Sequence, residues 1–279
     1  MRKPTTRAGY PRAQVELVRA TCLYVATKLG DLRDDLVVVG GLVPSLLVDP
    51  NGLPAGADAH VGTLDLDIGL TIALLDAGRY RAITERLRDA GFAPDVNEHG
   101  QATRQRWRIL GEAAVTVDFL IAPSLEGDRG GRLRNLEPDF AAIIVPGLEL
   151  AFRDRREVAM SGRTILGEDA ERSIWVCDAG AYIVLKAIAF ELRGENKDAY
   201  DLFYVLRNYD RGPVDVAAHL RPLLDAAEAR TALTILRRDF GGVDRVGPRR
   251  VAEFVAGGRD DAIQADVVAF VTELLDALG

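Results

Sequence analysis

A buried β-strand is predicted by the stretch Thr63-Leu64-Asp65-Leu66-Asp67-Ile68-Gly69-Leu70, in which polar and apolar side chains alternate. Successive side chains of a strand point to opposite faces, so Asp65 and Asp67 share one face and their apolar neighbours share the other. Two carboxylates held side by side repel each other, and a cation between them relieves that repulsion. The stretch therefore predicts two ligands for a hard divalent cation such as Mg²⁺.

A third acid, Asp118, lies in the later apolar stretch 113–121, which also predicts a strand. It faces away from its neighbours Val117 and Phe119, as the first two acids face away from theirs. Three carboxylates on neighbouring strands can hold two metal ions, one for nucleotide phosphates and one for an attacking hydroxyl. The alternative is a solvated sheet edge on which the acids face water.

A double glycine, Gly40-Gly41, separates the short apolar strand predicted at 36–39 from a helix predicted at 42–48. Glycines in such a turn let backbone N–H groups approach a triphosphate, with help from the helix N-terminus. A tight turn without a ligand is the alternative for the two glycines taken alone. The order of strand, double glycine, helix and Asp-x-Asp favours the phosphate-binding interpretation.

Strands and helices are mixed up to about residue 174, and predicted helices follow from there. This order favours an α+β fold, with a mixed β-sheet in an N-terminal domain at 1–170 and a C-terminal α-helical domain at 171–279. A further strand is predicted at 103–110, and a hairpin within 140–166 has its turn at 160–163. Helices are predicted at 12–30, 76–90, 178–193, 197–209, 213–228, 229–239, 247–256 and 260–278.

Composition excludes several classes of protein. The 279 residues include 35 basic and 42 acidic side chains, and the net charge of −7 disfavours nucleic-acid binding through a global basic field. Only Cys22 and Cys177 are present, which excludes a disulfide framework and a four-cysteine zinc site. No run approaches the about 18 apolar residues that cross a membrane, and no signal peptide is evident, so a cytoplasmic protein is expected.

Lys186 lies in the otherwise apolar helical stretch 181–190, where a lysine either extends to solvent or meets an anion such as phosphate. Asp198 and Asp201 are three positions apart and share one face of the next predicted helix. Asp198 also suits the first turn of that helix, where acids are favoured without any ligand. Asp201 lies deeper among apolar residues, so we expect it to have a partner.

These stretches together resemble a known family. Val39-Gly40-Gly41 with Ser45, the strand with Asp65 and Asp67, and Val117-Asp118-Phe119 resemble the core of the DNA polymerase β-type nucleotidyltransferases. The stretches 186–190 and 196–202, with Arg193 between them, resemble the AbiEii/MenT branch, whose members are toxins of bacterial toxin–antitoxin systems. The resemblance spans about residues 36–206 and is most specific in the lysine helix and the Lys-Asp-x-x-Asp-Leu motif.

The resemblance implies a Mg²⁺-dependent nucleotidyltransferase, with Mn²⁺ as an alternative ion and an NTP as substrate. Asp65 and Asp67 would bind the metals, and Asp118 would help to deprotonate the attacking hydroxyl. Lys186 would hold the triphosphate, and Asp201 would orient that lysine or complete the nucleotide pocket. The remaining residues implied at the nucleotide are Gly40, Gly41, Ser45, Thr63 and Asp198.

The implied activity is that of a toxin that adds nucleotides to the 3′ end of tRNA and so blocks translation, with a cognate antitoxin as partner. One alternative is nucleotidyl transfer to a small hydroxylated molecule, such as an aminoglycoside, or to a protein hydroxyl. Another is a catalytically silent nucleotide-binding module with a regulatory role. The row Arg104, Arg106 and Arg108 is a candidate for binding RNA phosphates, so reversing Arg104 and Arg106 is expected to weaken tRNA use.

Overall fold

A computed structural model describes residues 3–53, 57–71, 77–109 and 115–279. They form an α+β fold with a mixed, open β-sheet, as the sequence predicted. By their contacts, the described residues divide into a sheet unit, within Arg12–Leu42 and Thr63–Cys177, and a helical unit, within Met1–Pro11, Val43–Gly62 and Asp178–Gly279. Within this part of the chain, no helix is both long and apolar enough to cross a bilayer.

The sheet unit contains nine described strands in one sheet, and each begins and ends as follows: β1 Leu36–Val39, β2 Asp65–Leu70, β3 Phe92–Val96, β4 Ala102–Ile109, β5 Thr116–Ile121, β6 Leu133–Glu137, β7 Phe140–Ile144, β8 Arg155–Arg163 and β9 Asp169–Cys177. The main strand order is β3-β4-β5-β2-β1-β9-β8, and β7 pairs with both β5 and β6. Helices α1 (Arg12–Lys28), α3 (Ala77–Asp89) and α4 (Leu150–Arg153) complete the unit.

The central strands set the register of the acidic residues. Strand β2 runs parallel to β5, with Asp67 opposite Asp118, while β4 runs antiparallel to β5, with Arg106 opposite Asp118. Side chains of the other face are fully buried, among them Leu66 and Phe119. Burying one such side chain stabilises the fold by about 1.5–3 kcal/mol, so a one-residue slip that turned these faces over is strongly disfavoured.

The helical unit consists of α2 and six longer helices: α2 Pro44–Leu47, α5 Ala179–Arg193, α6 Asn196–Asn208, α7 Pro213–Leu220, α8 Ala227–Phe240, α9 Val246–Ala256 and α10 Asp261–Leu278. Helix α5 begins at the N-cap Asp178, whose carboxylate accepts a hydrogen bond from the backbone N–H of Ala179 at 2.8 Å. It ends at Gly194, which takes the left-handed conformation with φ 63°. Helices α6, α7 and α8 pack on α5, and they bury Lys186 together with its apolar neighbours.

Several elements differ from the sequence-based prediction. The hairpin turn predicted at 160–163 is wrong, because β8 continues to Arg163, which pairs with Asp169, and the turn follows with Gly167 at φ 83°. The helix predicted at 213–228 ends at Leu220 and continues only as a 3₁₀ turn at Arg221–Leu223, where a proline removes a backbone donor.

Strands β3, β6 and β9 were not predicted, and β9 lies beyond the hairpin predicted within 140–166. Strand β3 contains Pro94, a residue that sheets tolerate mainly at an edge, and β3 is the edge strand of the main strand order. Strand β6 is short and mostly polar, so its sequence lacks the alternation on which the prediction depends. Strand β9 ends at Cys177, and the last segment of the helical unit begins at Asp178. The domain boundary at 170/171 stays a prediction.

Both cysteines are buried, as expected for small apolar side chains, and burial raises the pKa of the Cys22 thiol to about 12. The prolines and glycines of 49–62 predict a loop, of which 54–56 lie outside the described residues. Parts of three other predicted elements also lie outside them: Asp76 of the helix at 76–90, Leu110 of the strand at 103–110, and 113–114 of the strand at 113–121.

Candidate functional site

Three carboxylates meet on the polar side of β2 and β5. Asp65, Asp67 and Asp118 each present an oxygen, and these oxygens all lie within 4.8 Å of one another. Asp65 and Asp118 are buried, with 8% and 4% exposure, so water screens their mutual repulsion poorly. The alternation of the sequence predicted this shared face, and the parallel pairing of β2 with β5 brings the third acid to the first two.

The double glycine lies directly against this acidic cluster. Gly40 has φ 73°, and a Cβ atom at this position would overlap the Asp67 carboxylate. A Cβ atom on Gly41 would approach the Thr63 side chain to 2.8 Å, and the Thr63 hydroxyl donates a hydrogen bond to Asp65 Oδ1 at 2.8 Å. Both glycines are therefore explained by close packing next to the acids, and their binding to phosphate stays a prediction, as does that of Thr63.

Arg106 also belongs to this cluster, and its contact with Asp118 was not predicted from the sequence. Its Nε and Nη2 atoms donate hydrogen bonds to Oδ1 and Oδ2 of Asp118 at 2.7 and 2.6 Å. These bonds, and then the charges of Asp118, Asp65 and Asp67, raise the pKa of the guanidinium above its ordinary value against the effect of burial. The alternation within 103–110 contained the signal, because an antiparallel neighbour of β5 places Arg106 on the acids' face.

Binding of RNA phosphates by Arg106 stays a prediction, and the structure adds a partner that the sequence did not indicate. The guanidinium is engaged by a carboxylate of the cluster, whereas the interpretation as an RNA-binding row treated it as a surface group. Its neighbours in the row also have partners: Arg104 donates to Asn135 at 3.3 Å, and Arg108 lies 3.3 Å from Asp95. Reversing Arg106 to glutamate would add a fourth carboxylate to the cluster, so the loss of tRNA use would not report on RNA binding alone.

The cluster fits a hard divalent cation on the chemistry of its donors. All three ligands are carboxylate oxygens, which Mg²⁺ and Mn²⁺ prefer over nitrogen and sulfur. Asp65, Asp67 and Asp118 would hold the ion. The roles of the three acids as metal ligands and catalytic groups stay predictions, while their proximity is a feature of the structure.

A second group of charges lies in the helical unit. Lys186 Nζ donates to Asp198 Oδ1 at 3.1 Å and to Asp201 Oδ2 at 2.7 Å. Arg193 donates to both oxygens of Asp198 at 2.8 and 3.0 Å, and Lys197 donates to Asp201. Asp198 and Asp201 thus share one helix face, as predicted, and both meet the lysine that the sequence singled out.

This buried charge network, formed by Lys186, Arg193, Lys197, Asp198 and Asp201, contains three cations and two carboxylates. Burial lowers the pKa of Lys197 to about 8, and the charge of Asp201 offsets this only in part. Burial also acts against the charge of Lys186, but Asp201 and Asp198 outweigh it and raise its pKa. The pKa of Asp201 is lowered because the charges of Lys186 and Lys197 outweigh the effect of burial. The four buried members, two lysines and two carboxylates, therefore balance in charge, and Arg193, whose side chain is 47% exposed, adds its positive charge next to solvent.

His60, to which the sequence pattern assigned no role, adds a neutral donor to the network. Its Nε2 atom lies 2.8 Å from Asp201 Oδ1, while Nδ1 lies 3.0 Å from the backbone nitrogen of Gly62 and 3.3 Å from the hydroxyl of Ser45. Because the Gly62 N–H donates to Nδ1, the ring proton is on Nε2 and is donated to Asp201. Burial, followed by the charge of Lys197, lowers the pKa of His60 to about 4.

The contacts Ser45–His60–Asp201 do not form a nucleophilic triad, although they join a serine, a histidine and an aspartate. An imidazole with a pKa of about 4 is too weak a base to deprotonate serine near neutral pH. Its Nδ1 atom also already accepts a hydrogen bond from the Gly62 N–H. Ser45 is instead a partner of the buried histidine, and its predicted contact with phosphate stays a prediction. Likewise, the binding of triphosphate by Lys186, Asp198 and Asp201 stays a prediction.

Comparisons with known proteins give no assignment: no protein-family model matches the chain, and no curated protein is significantly similar to it. The acidic cluster and the buried charge network are therefore the basis on which a function is argued.

Proposed function

We propose that this protein is a Mg²⁺-dependent nucleotidyltransferase with an NTP as donor. The observation that carries the proposal is the acidic cluster, in which three carboxylate oxygens from two neighbouring strands lie within 4.8 Å of one another. Repulsion among two buried acids and a third beside them is costly unless a cation compensates it. Such a cluster is the arrangement of ligands that metal-assisted phosphoryl chemistry requires.

In the proposed reaction, an acceptor hydroxyl attacks the α-phosphorus, a new P–O bond forms, the bond to the β-phosphate oxygen breaks, and pyrophosphate leaves. Bound Mg²⁺ would stabilise the charge on the phosphates and favour the deprotonated hydroxyl. Asp118 would receive the hydroxyl proton on a carboxylate oxygen. Both of its oxygens accept a hydrogen bond from Arg106, and each keeps a second lone pair on which the proton can be received.

The proposed acceptor is the 3′ end of tRNA, as the resemblance to the AbiEii/MenT branch implies. The protein would then act as a toxin that blocks translation, and a cognate antitoxin would be its partner. The overall charge of −7 means that RNA would be bound through local arginines.

A second candidate is a module that binds nucleotide without transferring it. The observation that favours it is the pair Arg106–Asp118, in which an internal cation already compensates one of the three acids. As long as this pair persists, the charge of Arg106 opposes both metal binding and proton transfer at Asp118.

Labelled NTPs, each in turn, with Mg²⁺ and total tRNA test the proposal. We expect label in tRNA with the wild-type protein, loss of transfer in Asp67→Asn, and retention in Asp139→Asn. Asp139 is a matched control because it lies in the same unit and pairs with Arg88, away from the cluster. Absence of transfer to tRNA with every NTP would overturn the toxin proposal. Transfer to an aminoglycoside instead would keep the enzyme class, and nucleotide binding without transfer would favour the second candidate.

A further inference from the structure

A cavity of about 320 Å³ lies in the helical unit at the turn between α9 and α10. Its lining residues are Arg249, Glu253, Gly257, Gly258, Arg259 and Gln264. At about 30 Å³ for each water, the cavity has room for roughly ten waters, far more than the one that hydrates a single polar group. None of these residues belongs to the acidic cluster or to the buried charge network.

At this cavity, the side-chain oxygen Oε1 of Gln264 is a buried hydrogen-bond acceptor that no donor of the described residues reaches. The residue is 2% exposed, and its Nε2 atom donates a hydrogen bond to the carbonyl oxygen of Val243 at 2.6 Å. This bond fixes the orientation of the amide, because the flipped amide would place two oxygens against each other. Oε1 then meets no hydrogen-bond donor within the described residues. Buried acceptors are nearly always satisfied, so a donor from a bound molecule is expected here.

The charged residues of the cavity have both signs. Arg249 and Arg259 have side chains 62% and 73% exposed, and the carboxylate of Glu253 lines the same cavity. Arg249 lies 3.5 Å from Asp244 and Arg259 lies 2.8 Å from Asp261, but ion pairs this exposed are weak and readily exchange partners. A guanidinium binds a carboxylate in a bidentate manner, so the two arginines suit a ligand with carboxylate groups.

We propose that this cavity binds a free dicarboxylic amino acid, glutamate or aspartate. Its carboxylates would bind Arg249 and Arg259, and its ammonium group would donate to Gln264 Oε1 and to Glu253. On binding, the carboxylates of the ligand would replace Asp244 and Asp261 as partners of the two arginines. Its ammonium group would share Glu253 with Arg250, which lies 3.6 Å from that carboxylate. The proposal rests on this cavity alone and does not depend on nucleotidyl transfer.

Gly258 provides a variant that fills the cavity without strain. An added Cβ atom meets nothing within 4 Å, and the backbone at this residue lies outside the left-handed region. A Gly258→Leu side chain therefore has space and takes up part of the volume that a ligand would use. Arg259→Gln removes one guanidinium from an exposed position, so neither variant is expected to impair folding.

Isothermal titration of the full chain with L-glutamate and L-aspartate tests the proposal. We expect binding of at least one amino acid by the wild type, at least about tenfold weaker binding by Arg259→Gln, and loss of binding by Gly258→Leu. Arg237→Gln, an exposed arginine of α8 outside the cavity, is the matched control and should bind as the wild type does.

Glutarate, which has both carboxylates but no ammonium group, tests the contact with Gln264 and should bind at least about tenfold more weakly than glutamate. The proposal would be overturned if neither amino acid binds, if Gly258→Leu and Arg259→Gln both bind as the wild type does, or if glutarate or inorganic phosphate binds as well as glutamate.

Discussion

Arg106 donates hydrogen bonds to both carboxylate oxygens of Asp118, from Nε to Oδ1 at 2.7 Å and from Nη2 to Oδ2 at 2.6 Å. The guanidinium is therefore an internal counter-ion for a cluster that also contains Asp65 and Asp67. A divalent cation bound by the cluster would share the carboxylate of Asp118 with Arg106, and the two positive charges would repel each other. Metal binding and the strength of this ion pair are then linked.

We expect Arg106→Gln to lower the free energy of unfolding by about 1–3 kcal/mol, because it leaves an uncompensated carboxylate at 4% exposure. This loss of unfolding free energy is smaller than for a fully buried ion pair, because the arginine side chain is 34% exposed and solvent screens the interaction. Added Mn²⁺ should stabilise this variant more than it stabilises the wild type, since the repelling guanidinium is gone. Urea unfolding with and without Mn²⁺ measures both effects.

Arg104→Gln is the matched control for this prediction. It changes an arginine on the same face of β4 that donates to Asn135 instead of to a carboxylate of the cluster. We expect its unfolding and its response to Mn²⁺ to match those of the wild type. If the two variants respond to Mn²⁺ equally, the repulsion between Arg106 and metal is refuted.

Gly40→Ala should be much more harmful than Gly100→Ala, although the two glycines have nearly the same φ, 73° and 74°. Both substitutions place a Cβ atom in the left-handed region, at a cost of about 1 kcal/mol. Only at Gly40 does the added atom also overlap the Asp67 carboxylate, whereas at Gly100 it meets nothing within 4 Å. We expect Gly40→Ala to lose both stability and Mn²⁺ affinity, measured by urea unfolding and titration. Equal effects of the two substitutions would mean that Gly40 serves only the turn.

The sequence predicted the acidic cluster because alternation is a local signal. The faces of Asp65, Asp67 and Asp118 follow from their own neighbours, and the structure brings the three together. The pairing of Arg106 with Asp118 was not predicted, because it depends on which strand lies beside β5 and in what register, and neither is encoded locally. Each charged residue could thus be recognised from its own stretch of sequence, but the pairing of Arg106 with Asp118 could not.

The buried charge network shows the same limit. The spacing of Asp198 and Asp201 on one helix predicted a shared face, and the isolated lysine in α5 suggested an anionic partner. His60 lies far from Asp201 in sequence, in a stretch without helix or strand periodicity, so nothing local indicates that it donates to this carboxylate. Long-range contacts of irregular segments are determined by packing and not by pattern.

The two lysines on Asp201 should differ sharply when each is replaced by methionine. Lys186 joins both carboxylates of the buried charge network, so Lys186→Met should lower the free energy of unfolding by about 3 kcal/mol. Lys197 is the cation whose burial lowers its pKa to about 8, so its charge already costs stability at neutral pH. We expect Lys197→Met to be neutral or stabilising in urea unfolding at pH 7. Equal losses in both variants would contradict this difference between the two buried lysines.

His60 should make stability fall as the pH decreases from about 6.5 to about 4. Its pKa is about 4 in the folded protein and 6.5 ordinarily, so in this window the unfolded chain binds a proton that the folded protein does not. The contribution is fully present above pH 6.5, and its loss can reach about 1.4 kcal/mol per pH unit. Asp201 and Asp198, whose pKa values are lowered from 3.8, lose their contributions only below this window.

Urea unfolding at intervals from pH 4.5 to pH 7 tests this expectation in a His60→Gln variant. Glutamine keeps a donor for Asp201 but does not titrate, so the slope of the unfolding free energy against pH should decrease even if the variant is less stable at every pH. His99→Gln is the matched control, because His99 is exposed in a turn. A slope in His60→Gln that equals those of the wild type and of His99→Gln would show that His60 is not the neutral, buried donor to Asp201 that its contacts describe.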